Sequence, residues 1–228
     1  MNIALIIARK NSKRIPNKNK KKFCGKPIIF WPIKNSLKSK VFDKIYVSTD
    51  DKSISKLVKK YGVNVPFLRD KKLGGEKIST IKVVKDFIKK IVRKEKLKFR
   101  NLCCIYASAP FFTANDLKES LKKLKSTKAD FSFIAHQIEN INLRSFYFKK
   151  KKIALFNNKY KNFRSQDLPT SFIDAGQFYW GNINSWIKKD SIYSSNTTAI
   201  VRNKNFYIDI NEKKDWKKAE KIFKKRKF

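Results

Sequence analysis

The chain has 228 residues, of which 41% are apolar and 19 are Phe; that is enough for one domain with a sizeable core and argues against a disordered chain. The absence of any run of 18 apolar residues excludes a membrane-spanning helix. The formal charge of +38 invites a nucleic-acid reading, but Lys outnumbers Arg 47 to 9, and specific base readout leans on Arg.

Residues 3–7, IALII, predict a first strand. The run is short and has neither a preceding basic segment nor a small-residue cleavage site. It is therefore not expected to be a signal peptide, and the protein is expected in the cytoplasm. ARKNSKRIPNKN (8–19) follows, with five Lys or Arg in 12 residues. A loop leaving a parallel strand can offer backbone N–H groups and cations to phosphates. Neither GxxxxGK[ST] nor GxGxxG occurs, and the first Gly is Gly25. The charge must then come from Arg9, Lys13, Arg14 and Lys18, with Asn11 and Ser12 adding hydrogen bonds. Spacing alone leaves phosphate binding and a solvated basic loop both open.

A helix is expected over 27–39, with Pro32 interrupting it locally, and then a strand over 44–49. The next helix, 50–62, starts on acids and stops at Gly62; a strand over 63–68 follows. Residues 79–92 place Ile81, Val84, Phe87, Ile88 and Ile91 on one helical face. A strand over 102–107, a helix over 113–125 opening on Thr113 and Asn115, and a strand over 131–136 continue the alternation. Residues 137–165 are less regular and predict an excursion that serves as a subunit contact or lid. A late strand is expected over 205–210, then a helix over 212–223 with Trp216, Ala219, Ile222 and Phe223 inward. The order predicts an α/β fold: one domain, 1–228, with a mostly parallel twisted sheet covered by helices on both faces. In such sheets ligands bind beyond the carboxyl ends of the strands, where 8–19 would sit.

Three Cys, two of them adjacent in an apolar run, argue against a disulfide framework or zinc site. His136 is the single His and reads as a strand-end residue. Lysine is spread over most predicted helices, as a general compositional drift would spread it. Its absence is more informative. The window 99–117 is mostly apolar and reads as core. The window 162–187 mixes Arg164, Gln166, Asp167, Asp174 and Gln177 with aromatics and reads as a site wall.

Residue order adds a resemblance. IIARKNSKRIPNKN followed by GKPII resembles the opening of the CMP-sugar-acid synthetases, cytidylyltransferases that activate nonulosonic acids; Lys10 and Asn11 stand where many relatives have Gly. YVSTDD (46–51), KKYGVNVPFLRDKKLGGEKIST (59–80), IYASAPF (105–111) and DIN…DW (209–216) are similar to further family segments. Glu76 and Asn211 stand where the family usually has Asp. Within the family, RSQDLPTSFIDAGQFYWG (164–181) resembles the RTQDLP…DAGQFYWG of pseudaminic acid cytidylyltransferases.

The resemblance implies a Rossmann-like nucleotidyltransferase. CTP and a nine-carbon sugar acid would be its partners, with neither a membrane nor a specific nucleic acid, and relatives are often homodimers. It implies nucleotide contacts from Ala8, Arg9, Asn11, Ser12, Lys13, Lys18, Asn19, Arg69, Ser79, Thr80 and Ala107, with Arg9, Lys13 and Lys18 catalytic. Arg164, Gln166, Asp174 and Gln177 would meet the sugar acid, and Asp209 with Asn211 would hold Mg²⁺. Rival readings are a CMP-legionaminic or CMP-N-acetylneuraminic acid synthetase, an inactive homologue, and a basic nucleic-acid-binding protein. The last predicts cations clustered on one face. The enzyme predicts a cleft that joins Arg9, Lys13, Arg69 and Asp209.

Overall fold

The computed structural model describes residues 1–75, 77–138, 143–203 and 208–225. In chain order these form β1 (Asn2–Ile7), β2 (Lys22–Phe23), β3 (Lys26–Pro27), α1 (Phe30–Ser39), β4 (Lys44–Ser48) and α2 (Lys52–Lys59). Next come α3 (Thr80–Glu95), β5 (Asn101–Tyr106), α4 (Ala114–Ser126), β6 (Phe131–Ile138), β7 (Phe146–Lys149) and β8 (Lys152–Leu155). β9 (Ser171–Asn182), α5 (Ile183–Lys188), β10 (Thr197–Val201) and α6 (Lys213–Lys225) complete the order.

Six strands form one sheet in the order β10-β6-β9-β5-β1-β4. β1 pairs in parallel with β4 and β5, in registers that include Ile3↔Lys44 and Ile3↔Leu102. β9 alone runs antiparallel, to both β5 and β6. Because β1 is central, both of its faces are buried. Ile3 and Leu5 pack with Ile81, Val84 and Phe87 of α3 and with Trp186 of α5. Ala4 and Ile6 join Ile33 of α1, Ile54 of α2, Leu117 of α4 and Trp216 of α6 on the other face. Period-2 alternation in the strand thus assigns each helix its side.

Local chemistry sets the helix ends. The Asp51 carboxylate accepts from the Ser53 amide at 2.7 Å and opens α2, and Gly62, at φ +76°, supplies the left-handed turn that follows it. Thr113 and Asp116 form a reciprocal capping box on α4. Pro32 lies in the first turn of α1, where a missing N–H costs nothing, so it does not interrupt the helix as expected.

Two expected strands differ. Residues 63–68 touch β4 only through a bridge between Tyr46 and Asn64; Pro66 has no N–H to extend the ladder. Of the strand expected over 205–210, residues 205–207 lie outside the described residues and 208–210 form no strand. The irregular stretch contains an antiparallel β7–β8 hairpin whose residues are mostly exposed. His136 lies within β6, opposite Ile173 of β9.

Candidate active site

The carboxyl ends of β1 and β5 open on a cleft of about 390 Å³. Backbone hydrogen bonds knit its floor: Ala8 N to Ser48 O at 2.9 Å, Arg69 N to Thr49 O at 2.8 Å and Ala107 N to Ile7 O at 3.2 Å. The basic turn 8–20 folds over this floor. Buried Ile15 anchors it, Asn17 makes a left-handed turn at φ 54°, and the Asn19 side chain donates to Arg9 O at 3.0 Å. The acids after β4 hold its two ends. Asp50 accepts from the Lys10 amide at 2.7 Å, and Asp51 pairs with Lys20 at 3.0 Å. Arg9, Ser12, Lys13, Arg14, Lys18 and Asn19 line the cleft as a result.

The late chain supplies the facing wall, with Asp209 and Asn211. Lys18 Nζ donates to Ile210 O, joining the two walls. The Asn211 and Glu212 amides donate to the Asp215 carboxylate at 2.9 and 2.7 Å, which fixes this turn at the start of α6. Burial pushes the Lys18 ammonium below its usual range; Asp209 opposes that shift, while Arg14 and Arg9 add to it. The cleft therefore joins Arg9, Lys13, Arg69 and Asp209, the arrangement expected of the enzyme.

Arg69 is the most informative side chain. It is 4% exposed and lies 3.5 Å from Asp50, yet its Nε and Nη2 have no hydrogen-bond partner. Burial lowers its pKa although Asp50 pulls the other way. A buried guanidinium with unmet donors on a cleft wall is suited to an anionic acceptor.

A divalent cation fits the opposite wall. Asn211 Nδ2 donates to Asp209 Oδ2 at 2.5 Å, so one carboxylate and one amide stand side by side at the cleft. Among the described residues no group of three or more His, Cys, Asp and Glu forms a metal cage. A cation held by Asp209 and the Asn211 amide oxygen would need phosphate and water to complete its shell.

On the third side, Thr80 Oγ1 lies 2.9 Å from the Tyr106 hydroxyl, and Ala107 and Ser108 continue the wall. Ser79 does not line the cleft; its hydroxyl caps α3 by accepting from the Lys82 amide. Asn11 lines an adjoining hollow with Lys13, Lys72 and Lys77. Tyr106 and Ser108 were not named individually from the sequence, although both fall within IYASAPF (105–111), the stretch similar to the family's base-pocket lining. Their signal was position, at the carboxyl end of a central strand.

The four residues expected at the sugar acid do not line this cleft. Gln177 is buried, and its amide is engaged by backbone: Oε1 accepts from Phe111 N at 3.1 Å and Nε2 donates to Ala175 O at 2.9 Å. Asp174 accepts from the Gly176 amide and from the Tyr179 and Tyr193 hydroxyls. Arg164 and Gln166 sit on an exposed turn, with Arg164 paired to Asp167 at 2.7 Å. The lysine-free window is in part β9, a strand buried between β5 and β6, which explains why lysine is missing there.

A family model described as Cytidylyltransferase matches residues 3–227. The chain is 36% identical, over 98% of its length and 96% of the relative's, to a pseudaminic acid cytidylyltransferase of Campylobacter jejuni subsp. jejuni. It is 27% identical, over 96% of its length and 95% of the relative's, to a CMP-N,N'-diacetyllegionaminic acid synthase of Legionella pneumophila. Its fold is similar to a CMP:2-keto-3-deoxy-manno-octonic acid synthetase complexed with CTP, with a TM-score of 0.73, 13% identity and 99% of both chains covered.

Proposed function

Because the chain belongs to the cytidylyltransferase family, we propose that it transfers CMP from CTP to pseudaminic acid and releases pyrophosphate. The observation that carries this reading is the single cleft joining the basic turn, the unmet donors of Arg69 and the Asp209 carboxylate. A hydroxyl of the sugar acid attacks the α-phosphorus as the bond to the bridging oxygen breaks, and pyrophosphate departs with that oxygen. The protein's task is to position these groups and offset charge. Arg9, Lys13, Lys18 and Arg69 reduce repulsion among the phosphates and stabilise charge on the leaving group. Asp209 and the Asn211 amide oxygen would hold Mg²⁺, which supplies Lewis-acid polarisation of phosphate oxygens when bound. Thr80, Tyr106 and Ala107 border the nucleotide. Among the described residues no helix is long and apolar enough to cross a membrane.

Pseudaminic acid is favoured over legionaminic or N-acetylneuraminic acid by the RSQDLP…DAGQFYWG segment and by the greater identity to the Campylobacter relative. Each acid, offered with CTP and Mg²⁺, gives a direct test through pyrophosphate release. Release with pseudaminic acid alone supports the assignment. Release with another acid reassigns the substrate, and release with none rejects the activity.

The β7–β8 hairpin supports a homodimer. Phe148 and Phe156 are 73% and 71% exposed, and Arg144 Nη2 ties the hairpin base to Ser165 at 2.8 Å, beside Arg164 and Gln166. A second copy would cover these aromatics and receive Arg164 and Gln166 at its own sugar-acid site. Light scattering is expected to give a dimer mass, and Phe148→Ser with Phe156→Ser a monomer with weakened sugar-acid turnover. A monomeric unaltered protein removes this part of the reading.

A further inference from the structure

Asp50 sits where three segments of the cleft meet. It lies two residues past the end of β4 and one residue before the cap of α2, and its side chain is only 10% exposed. One carboxylate oxygen accepts from the Lys10 amide at 2.7 Å, inside the basic turn. The same oxygen lies 3.5 Å from Arg69 Nη2. The other oxygen presses against Gly74: a Cβ built there would lie 2.7 Å from it, far inside van der Waals contact. Gly74 closes the one-turn 3₁₀ helix Lys71–Gly74, and its neighbour Gly75 lines the cleft.

These contacts separate two roles that the STDD stretch combines. Asp51 caps α2 and grips Lys20, at the far end of the basic turn. Asp50 grips the near end and fixes a guanidinium beside it. A buried cation without a counter-ion is costly, and its side chain would swing toward water if released. A carboxylate opposite it holds the charge in place. Because the ion pair is long and Nε and Nη2 have no hydrogen-bond partner, the guanidinium keeps donors for a second anion.

We propose that Asp50 is the positioning residue of the phosphate site: its carboxylate sets the Arg69 guanidinium and the entry of the basic turn in one register for the triphosphate. It does not touch the reacting atoms and acts through Arg69 and Lys10. This rests on reading the cleft as a CTP site. The requirement also explains Gly74, since any larger residue would displace the carboxylate.

The test is CTP binding by calorimetry to the unaltered protein, Asp50→Asn, Arg69→Met, the double variant and Gly74→Ala. Asp50→Asn keeps an acceptor for the Lys10 amide and removes only charge. It is expected to weaken CTP binding by about tenfold or more, and much less in the Arg69→Met background, because contacting residues couple non-additively. Gly74→Ala, with no charge change, is expected to weaken binding in the same direction. In turnover, the KM for CTP should rise more than kcat falls, a split that a general loss of fold would not give. Circular dichroism identifies a misfolded Asp50→Asn; Gly74→Ala then decides alone. Additive losses, or CTP binding unchanged in both Asp50→Asn and Gly74→Ala, would overturn the proposal. An unaltered protein that fails to bind CTP rejects the site reading along with it, a result distinct from a normal protein with indifferent variants.

Discussion

Replacing Arg69 with Met separates ligand binding from folding more cleanly than any other single change. The side chain is 4% exposed, so neither state of the guanidinium is well hydrated. Without ligand, two changes oppose. Met loses the attraction to Asp50 at 3.5 Å, but it also removes two buried nitrogens that have no hydrogen-bond partner. Together the two unmet buried donors cost about 2–6 kcal/mol, similar in size to the roughly 3–5 kcal/mol lost when one partner of a buried pair is removed. The net change in stability should therefore stay within ~1 kcal/mol, a shift of no more than about 4 °C in Tm for a chain of this size. With CTP the balance is one-sided. Two charge-assisted hydrogen bonds at about 1.5–3 kcal/mol each vanish with nothing to replace them. Taking the lower end, about 3 kcal/mol, CTP binding should weaken at least ~100-fold. Calorimetry gives the affinity, and a thermal melt without ligand gives the stability. A variant that binds CTP within about fivefold of the unaltered protein, or one that loses many degrees of Tm while binding normally, would show that Arg69 serves the fold and not the nucleotide.

Asn211→Asp puts a second carboxylate where Nδ2 now lies 2.5 Å from Asp209 Oδ2. Repulsion that the cation relieves should lower the Mg²⁺ concentration for half-maximal turnover by about tenfold; an unchanged or higher requirement would remove Asn211 from the metal site. A protein inactive with Asn211 but active with Asp would establish the inactive-homologue reading. Asp51 lies below its ordinary value of 3.8: burial raises it, but hydrogen bonds from Ser53 and Lys20 outweigh that effect. Its stabilisation is thus present above that value and fades as pH falls through the lower folded value. Asp51→Asn should cost about 1 kcal/mol at pH 7, and the difference in Tm from the unaltered protein should shrink in acid below the folded value. Gln177→Ala removes the acceptor from the Phe111 amide and is expected to destabilise by about 1–3 kcal/mol in a thermal melt. It should leave the preference among sugar acids unchanged; a switch in preference would return Gln177 to the substrate site.

The lining of the cleft was partly legible because several of its residues are contiguous in the chain. Arg9, Lys13 and Lys18 follow a strand in one turn, whereas Asp209 was found only through the resemblance of DIN…DW to the family's late segment. Alternation also read the central strands well, since β1 buries both faces and its apolar run is unbroken. Reading failed where a polar residue serves the backbone. Gln177 and Ser79 look like ligand contacts in sequence, yet one satisfies Phe111 and Ala175 and the other caps α3. Nothing in their identity distinguishes these uses. The window 162–187 was read as a site wall because Arg164, Gln166, Asp167, Asp174 and Gln177 mix with its aromatics, although Phe178, Tyr179 and Trp180 are all buried. Residues 63–68 have strand composition, but Pro66 breaks the ladder that composition promises. Asp50 escaped notice for a different reason: its three contacts lie 19 to 40 residues away in the chain.

In the proposed reaction the basic turn after β1 and the Asp209 wall grip the same triphosphate. A crystal structure of the protein with CTP and Mg²⁺ tests this most directly. Phosphate oxygens are expected within hydrogen-bond distance of Lys13, Lys18 and Arg69, with the metal on Asp209. Phosphates bound elsewhere, with Arg69 still lacking an acceptor, would contradict it.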